Sequence, residues 1–264
     1  MSEPALAGKA IVLIGGTTGI GLSAARAFLA AGAKVVALGR NPESAEAAAA
    51  VLGENATVLT GDARESAQAE RCIGQALARF GRFDALYHVA GGSGRRLGDG
   101  PLHELTDEGW QATLELNLTS VMYSNRAAVR QFRAQGSGGA ILNLSSVLAY
   151  SPSPRFFSTH AYATAKAGII GFSKAIAAAY AAENIRVNVL APALVETPMA
   201  QRAAENADIL RFIAAKQPLD GGRIGHPPDL DAAAVYLLSD AARFVTGQLL
   251  AVDGGWGISE GLPG

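Results

Sequence analysis

The chain has 264 residues, of which 49% are hydrophobic and 17% charged, with 31 glycines and a net charge of -1. That composition fits a well-buried globular core and excludes a disordered chain, and the near-neutral charge leaves no footprint for nucleic acid or an anionic membrane surface. The lone Cys72 excludes an internal disulfide and a thiolate metal cluster, and points to a reducing, cytoplasmic setting.

The start, Met1-Ser2-Glu3-Pro4, shows no secretory signal, and no run of about 20 apolar residues predicts a membrane span. Strand-like runs follow at 10–14, 34–38, 57–59, 85–89, 140–144, 186–190 and 248–252. Most are continuously apolar, as in strands covered on both faces by crossover helices. Between them, helices are predicted at 20–31, 44–52, 66–80, 106–135, 161–183 and 229–239. Thr106 offers an N-cap to the long one. No repeat, linker or change of composition divides the chain. We therefore expect one α/β domain over 1–264, with a doubly wound parallel sheet of about seven strands of the Rossmann type. Its chemistry should lie at the carboxyl ends of the strands.

After the first strand comes Gly15-Gly16-Thr17-Thr18-Gly19-Ile20-Gly21, opening directly into a helix. Such a turn lets backbone approach a pyrophosphate, which the N–H groups of the helix start then hold. The spacing is Gly-x-x-x-Gly-x-Gly, not the more usual Gly-x-Gly-x-x-Gly. At the end of the second strand, NAD-binding proteins carry an acid for the ribose 2′-OH. Here Gly39 stands in that place and Arg40 follows, and a guanidinium suits a 2′-phosphate. NADP(H) is thus favoured, with NAD(H) as the alternative. Thr17 and Thr18 add no second cation.

Further along, Tyr162 and Lys166 are four residues apart on one predicted helix face. A nearby ammonium favours phenolate, and moving a phenol from about 10 to about 7 takes roughly 4 kcal/mol. A proton donor tuned near the working pH is what general acid–base catalysis needs.

Taken together, these residues resemble the short-chain dehydrogenase/reductase family, in its compact branch of about 250 residues. The resemblance covers essentially the whole chain. It runs in order through the glycine turn, Asp62, Ala90-Gly91, Asn117, Ser146, Tyr162 and Lys166, then Pro192 and Thr197. It implies a catalytic tetrad. Ser146 would orient the substrate oxygen, with Ser145 as the competing candidate. Tyr162 would exchange the proton. Lys166 would lower the Tyr162 pKa and hold the nicotinamide ribose, and Asn117 would hold a water linking Lys166 to solvent. It also implies that Gly15, Thr17, Thr18, Gly19, Ile20, Gly21 and Arg40 bind the cofactor, with Asp62 and Ala63 at the adenine. Ala90, Gly91, Pro192, Val195 and Thr197 would complete that site toward the nicotinamide. The implied activity is hydride transfer between a carbonyl and a secondary alcohol by a homotetramer or dimer, packed through the helices at 106–135 and 161–183. A non-catalytic nucleotide sensor is the reading from another class.

Four features depart from the family pattern. Ile14 replaces a usual Thr, and Pro192-Ala193 replaces Pro-Gly. His88-Val89 replaces an Asn pair, which predicts lost bracing of the sheet end. Ser146 and Tyr162 are further apart than usual, with the extra residues in the loop at 151–157. Phe156, Phe157 and His160 are expected as pocket walls. The glycine-rich loop at 91–100 is expected to be mobile, with Arg95 and Arg96 available to an acidic group. A substrate lid is expected at about 192–217, covered by Met199, Ile209, Leu210 and Phe212. The histidines show no metal-ligand spacing, so no metal is predicted.

Overall fold

The structure, a computed structural model, describes residues 3–261. Strands β1 (Ala10–Ile14), β2 (Lys34–Gly39), β3 (Ala56–Thr60), β4 (Ala85–His88), β5 (Gly139–Leu144), β6 (Ile185–Pro192) and β7 (Leu249–Val252) form one parallel sheet. Its order is β3-β2-β1-β4-β5-β6-β7. Ile14 at the end of β1 pairs in register with Leu38 on one side and His88 on the other. The winding reverses between β1 and β4, which opens a crevice at their carboxyl ends.

The covering helices are α1 (Gly19–Ala30), α2 (Pro42–Leu52), α3 (Ser66–Phe80), α4 (Asp107–Leu114), α5 (Ser120–Gln135), α6 (His160–Tyr180), α7 (Gln201–Ala204), α8 (Ala207–Lys216) and α9 (Asp231–Leu238). All five residues of β1 are buried because alternate side chains enter different cores. Ile11 and Leu13 pack with Phe28 of α1 and Leu237 of α9. Val12 and Ile14 pack with Ile73 of α3 and Phe132 of α5. Cys72 lies in the second core, and burial pushes its thiol up to about 12, so it is inert packing.

A third, smaller cluster joins Val147, Ala203, Ile209, Ile213 and Trp256, with Phe156, Phe157 and Phe212 against it. It ties the expected lid, α7 and α8, to the β5–α6 loop. The turn after β7 supplies its tryptophan. Asp253 there accepts from Gly255 N at 3.0 Å and from Gly257 N at 2.8 Å.

The expected helix over 106–135 is corrected in one respect. Thr106 does cap its start, accepting from Gly109 N at 2.9 Å. However, Glu115–Thr119 is a π-helical turn between α4 and α5. Asn117 Nδ2 donates to the Thr113 carbonyl at 2.9 Å, so a side chain competes for the acceptor that the α register would give to backbone.

Candidate active site

The first half of the site is the turn between β1 and α1. Gly15 and Gly16 both donate to the Leu38 carbonyl at 2.9 Å, which folds the turn back over β2. A Cβ at Gly21 would lie 1.9 Å from the Gly15 carbonyl oxygen, so helix and turn pack as backbone on backbone. Gly19 begins α1 at φ +50° and faces the Thr197 methyl, while Ile20 packs into the first core. Thr18 stands at the N-cap in extended conformation, yet its side chain makes no capping bond. The first N–H groups of α1 therefore have no side-chain acceptor there, which fits a phosphate-bearing cofactor.

Thr17 is buried against Gly39. A Cβ at position 39 would sit 2.1 Å from Thr17 Oγ1, so the place of the 2′-OH-binding acid is sterically filled. Arg40 follows, exposed, and forms no ion pair among the described residues. Asp62 is held by Arg64 through a fork, with Nη2 to Oδ2 at 2.6 Å and Nε to Oδ1 at 3.1 Å. This pairing holds the Asp62 carboxyl below its usual range, with Arg40 contributing. The sequence reading missed Arg64. Ala63 packs against the second core, and Ala90 N bonds the Ile14 carbonyl at 2.9 Å. Pro192 closes β6 beside Val252. Val195 bridges to Gly225 just beyond it.

The second half gathers around the start of α6. Ser145 is buried and donates to the Lys166 carbonyl at 2.7 Å. Its neighbour Ser146 caps the following 3-10 turn, accepting from Leu148 N at 3.2 Å, and lies close enough to Tyr162 to favour phenolate by hydrogen bonding. The two serines thus divide: Ser145 holds the helix and Ser146 reaches the phenol. Lys166 is 3% exposed, and its Nζ lies 5.5 Å from the Tyr162 ring centroid and donates to the Leu144 carbonyl at 2.9 Å. Asn117 is fully buried, and its Oδ1 accepts from Gly92 N at 3.0 Å while Nδ2 donates to Gly92 O and Thr113 O. A Cβ at Gly91 would meet Asn117 Oδ1 at 2.7 Å and Lys166 Nζ at 3.4 Å. Asn117, Lys166 and the 91–92 backbone therefore converge.

Electrostatics in this arrangement differ from the sequence expectation. Burial pushes the Tyr162 phenol up to about 12, and Ser146 offsets only part of that. Burial also lowers Lys166, to about 8, because an ammonium is costly where it loses water. Desolvation therefore dominates the phenol, and Ser146, not Lys166, is the group that pulls it back.

Three further expectations are corrected. His88 does not leave the sheet end unbraced: its Nε2 donates to the Ala90 carbonyl at 3.1 Å and its Nδ1 lies 2.7 Å from Ser124 Oγ. Burial, with the Lys166 charge, holds this imidazole neutral, down to about 3. The glycine-rich loop is clasped, not loose. Buried Asp99 accepts from Ala161 N at 3.0 Å and Tyr162 N at 2.9 Å, so a loop carboxylate caps the helix that carries the tyrosine. The residue type alone gave no sign of this, since the cap comes from 62 and 63 positions away. Lastly, Phe156, Phe157, Ile209 and Phe212 join the third cluster. His160 remains exposed, as do Met199 and Leu210.

Comparison with known proteins follows this geometry. A family model described as enoyl-(acyl carrier protein) reductase matches residues 15–257. Cis-4-hydroxycyclohexanecarboxylate dehydrogenase of Sinomonas cyclohexanicum is 36% identical over 255 residues, 96% of this chain and 98% of that protein. 3beta-hydroxysteroid dehydrogenase 2 of Eggerthella lenta is 33% identical over 257 residues, 96% of each chain. A solved short-chain type dehydrogenase/reductase from Mycobacterium ulcerans superposes with a TM-score of 0.85 at 31% identity, covering 95% of this chain and 90% of that one.

Proposed function

The chain belongs to the short-chain dehydrogenase/reductase family of oxidoreductases, and on that premise we propose that it interconverts a ketone and a secondary alcohol with NADP(H), using Tyr162 as general acid and base. The observation that carries this reading is the convergence of Ser146, Tyr162, Lys166 and Asn117 beside the 91–92 backbone. When bound, the nicotinamide supplies or accepts the hydride. The β1–α1 turn and the start of α1 would hold the pyrophosphate, with Asp62 and Ala63 toward the adenine. Ala90, Gly91, Pro192, Val195, Thr197 and Lys166 would hold the nicotinamide end. Ser146 Oγ orients the substrate oxygen, and Tyr162 Oη gives it a proton.

A phenol raised to about 12 is protonated at neutral pH and still donates downhill to an alkoxide. This supports Tyr162 as the proton donor in carbonyl reduction near pH 7, while the direction of net turnover is set by the reactants and the cofactor ratio. Both Nδ2 donors of Asn117 are engaged by Gly92 and Thr113 and Oδ1 already accepts from Gly92 N, so its side chain would offer the implied water only the remaining Oδ1 lone pair. The filled acid position at Gly39 and the neighbouring Arg40 support NADP(H) over NAD(H).

The two named relatives act on alicyclic alcohols. The partly exposed rings of Phe156, Phe157 and Phe212 form an aromatic wall, packed onto buried Trp256, that would suit such a ring. Cytoplasmic operation as a homotetramer or dimer completes the reading.

The test is Tyr162→Phe assayed with cyclic ketones. Turnover is expected to fall by about a thousandfold or more while NADPH affinity holds; retained turnover removes Tyr162 from its role. A parallel titration of NADPH against NADH, on wild type and Arg40→Ala, tests the cofactor. Loss of the NADPH advantage in the variant is expected. Equal or tighter binding of NADH to wild type would assign the alternative, an NAD(H)-dependent alcohol dehydrogenase.

A further inference from the structure

At the lid side of the site, two arginines from separate elements reach one oxygen. Arg95, in the 3-10 turn Arg95–Leu97 between β4 and α4, donates through Nη2 to the Phe156 carbonyl at 3.1 Å. Arg202 of α7 donates through Nη2 to the same carbonyl at 3.3 Å. A third, Arg155, places its guanidinium 5.0 Å from the centroid of the Phe156 ring. Among the described residues none of the three is paired with a carboxylate.

The nearby acids are engaged elsewhere. Asp99 caps α6, Glu205 accepts from Gln201, and Asp208 pairs with Arg211. Asp99 still acts on Arg95 from a distance, but three guanidinium groups gather here with no ion-pair partner among the described residues. Burial and the Arg202 charge both press the Arg95 guanidinium below its ordinary value, as expected for like charges held together. Each guanidinium has five N–H donors and uses one on Phe156. The remaining donors suit an acceptor carrying several oxygens and a negative charge.

The position ties this cluster to the reacting centre. The loop bearing Arg95 is anchored before it, where Gly92 bonds Asn117, and after it, where Asp99 bonds Tyr162 N. Phe156, the shared acceptor, stacks obliquely on Phe212 in the aromatic wall, with ring centroids 5.2 Å apart.

Deepening the function proposed above, and resting on it for the term substrate, we propose that Arg95 and Arg202 form an anion-recognition subsite that binds a carboxylate or phosphate group on the substrate, remote from its reacting carbon. Arg155 adds long-range attraction. The substrate class is therefore an anionic alicyclic or similarly compact alcohol or ketone, not a neutral one.

The experiment titrates the enzyme, saturated with NADP+ or NAD+, with cyclohexanecarboxylate, cyclohexyl phosphate and cyclohexanecarboxamide by calorimetry. It uses wild type, Arg95→Gln, Arg202→Gln and the double variant. Wild type is expected to bind an anion about tenfold or more tighter than the amide, with each single variant losing part of that advantage and the double variant losing all of it. The better anion identifies carboxylate or phosphate as the group read. Unchanged amide affinity shows that the variants retain the folded pocket. Equal binding of anions and amide by wild type, or a preference that survives in the double variant, overturns the proposal. Failure here is separable from failure of the oxidoreductase reading. Arginine-dependent anion binding with no turnover of any alcohol or ketone removes that reading alone. Turnover of neutral ketones without anion preference removes this subsite alone.

Discussion

Tyr162 and Lys166 show why residue types alone do not set a proton's energy. The same burial that brings phenol and ammonium together raises one pKa, to about 12, and lowers the other, to about 8. Two pH consequences follow at this scale. With Tyr162 as the proposed base, alcohol oxidation needs its phenolate, so the oxidation rate is expected to climb between about pH 7 and pH 10, while ketone reduction does not climb with it. Initial rates in both directions across that range check this, and an oxidation rate that falls with rising pH would remove Tyr162 as the base. His88 gives the second. Its folded pKa is about 3, below the ordinary 6.5, so the unfolded chain binds the extra proton between those values. Stability is therefore intact above about 6.5 and is lost as pH falls, by at most about 1.4 kcal/mol per pH unit from this residue. Urea unfolding at pH 7 and pH 5 should show a smaller loss in His88→Asn than in wild type. The sequence exposed His88 as a departure. That an imidazole could supply the bracing was invisible, because Ser124 and the Ala90 carbonyl become its partners only in three dimensions.

Among elements, α6 depends on a residue far from it in sequence. Removing its remote cap in Asp99→Ala is expected to cost about 1–2 kcal/mol of stability, the scale of a lost N-cap. Because the cap also fixes Tyr162 N, kcat should drop while cofactor affinity holds, and Asp99→Asn should recover part of kcat by keeping one acceptor oxygen. A purely structural role would leave kcat of the folded variant at the wild-type level. At β2, a methyl at Gly39 collides with Thr17, so Gly39→Ala is expected to cost about 1–3 kcal/mol, relieved by adding Thr17→Gly. The strands and most helices were legible, since continuous apolar runs alternate with Ala/Leu-rich segments ending at glycines such as Gly81. The helix over 66–80 matches to the residue. What could not be read were features set by contacts between distant segments. These are the π-helical turn at Asn117, the Asp99 clasp, and the meeting of Arg95 with Arg202.

Over the whole molecule, assembly is the property that the single chain leaves to its surface. The outer side of α6 exposes Ala167, Gly171, Ala175 and Ala178 at helical spacing, which lets a second helix approach closely. Sedimentation of wild type should give the mass of a tetramer or dimer, and Ala175→Arg should lower it. An unchanged mass, with Phe244→Asp lowering it instead, would move the contact toward Phe244, which is 98% exposed and lies shortly before β7. The third cluster has a consequence of another kind. Its Trp256 is delivered by the turn after β7, the edge strand that comes after every other strand in the chain. On the ribosome, the glycine turn and its four neighbouring strands β3-β2-β1-β4 emerge long before that tryptophan does. A nascent chain thus completes the strands around the glycine turn well before it gains the tryptophan that closes the third cluster, so folding of the cofactor's half can begin while the lid still lacks its anchor.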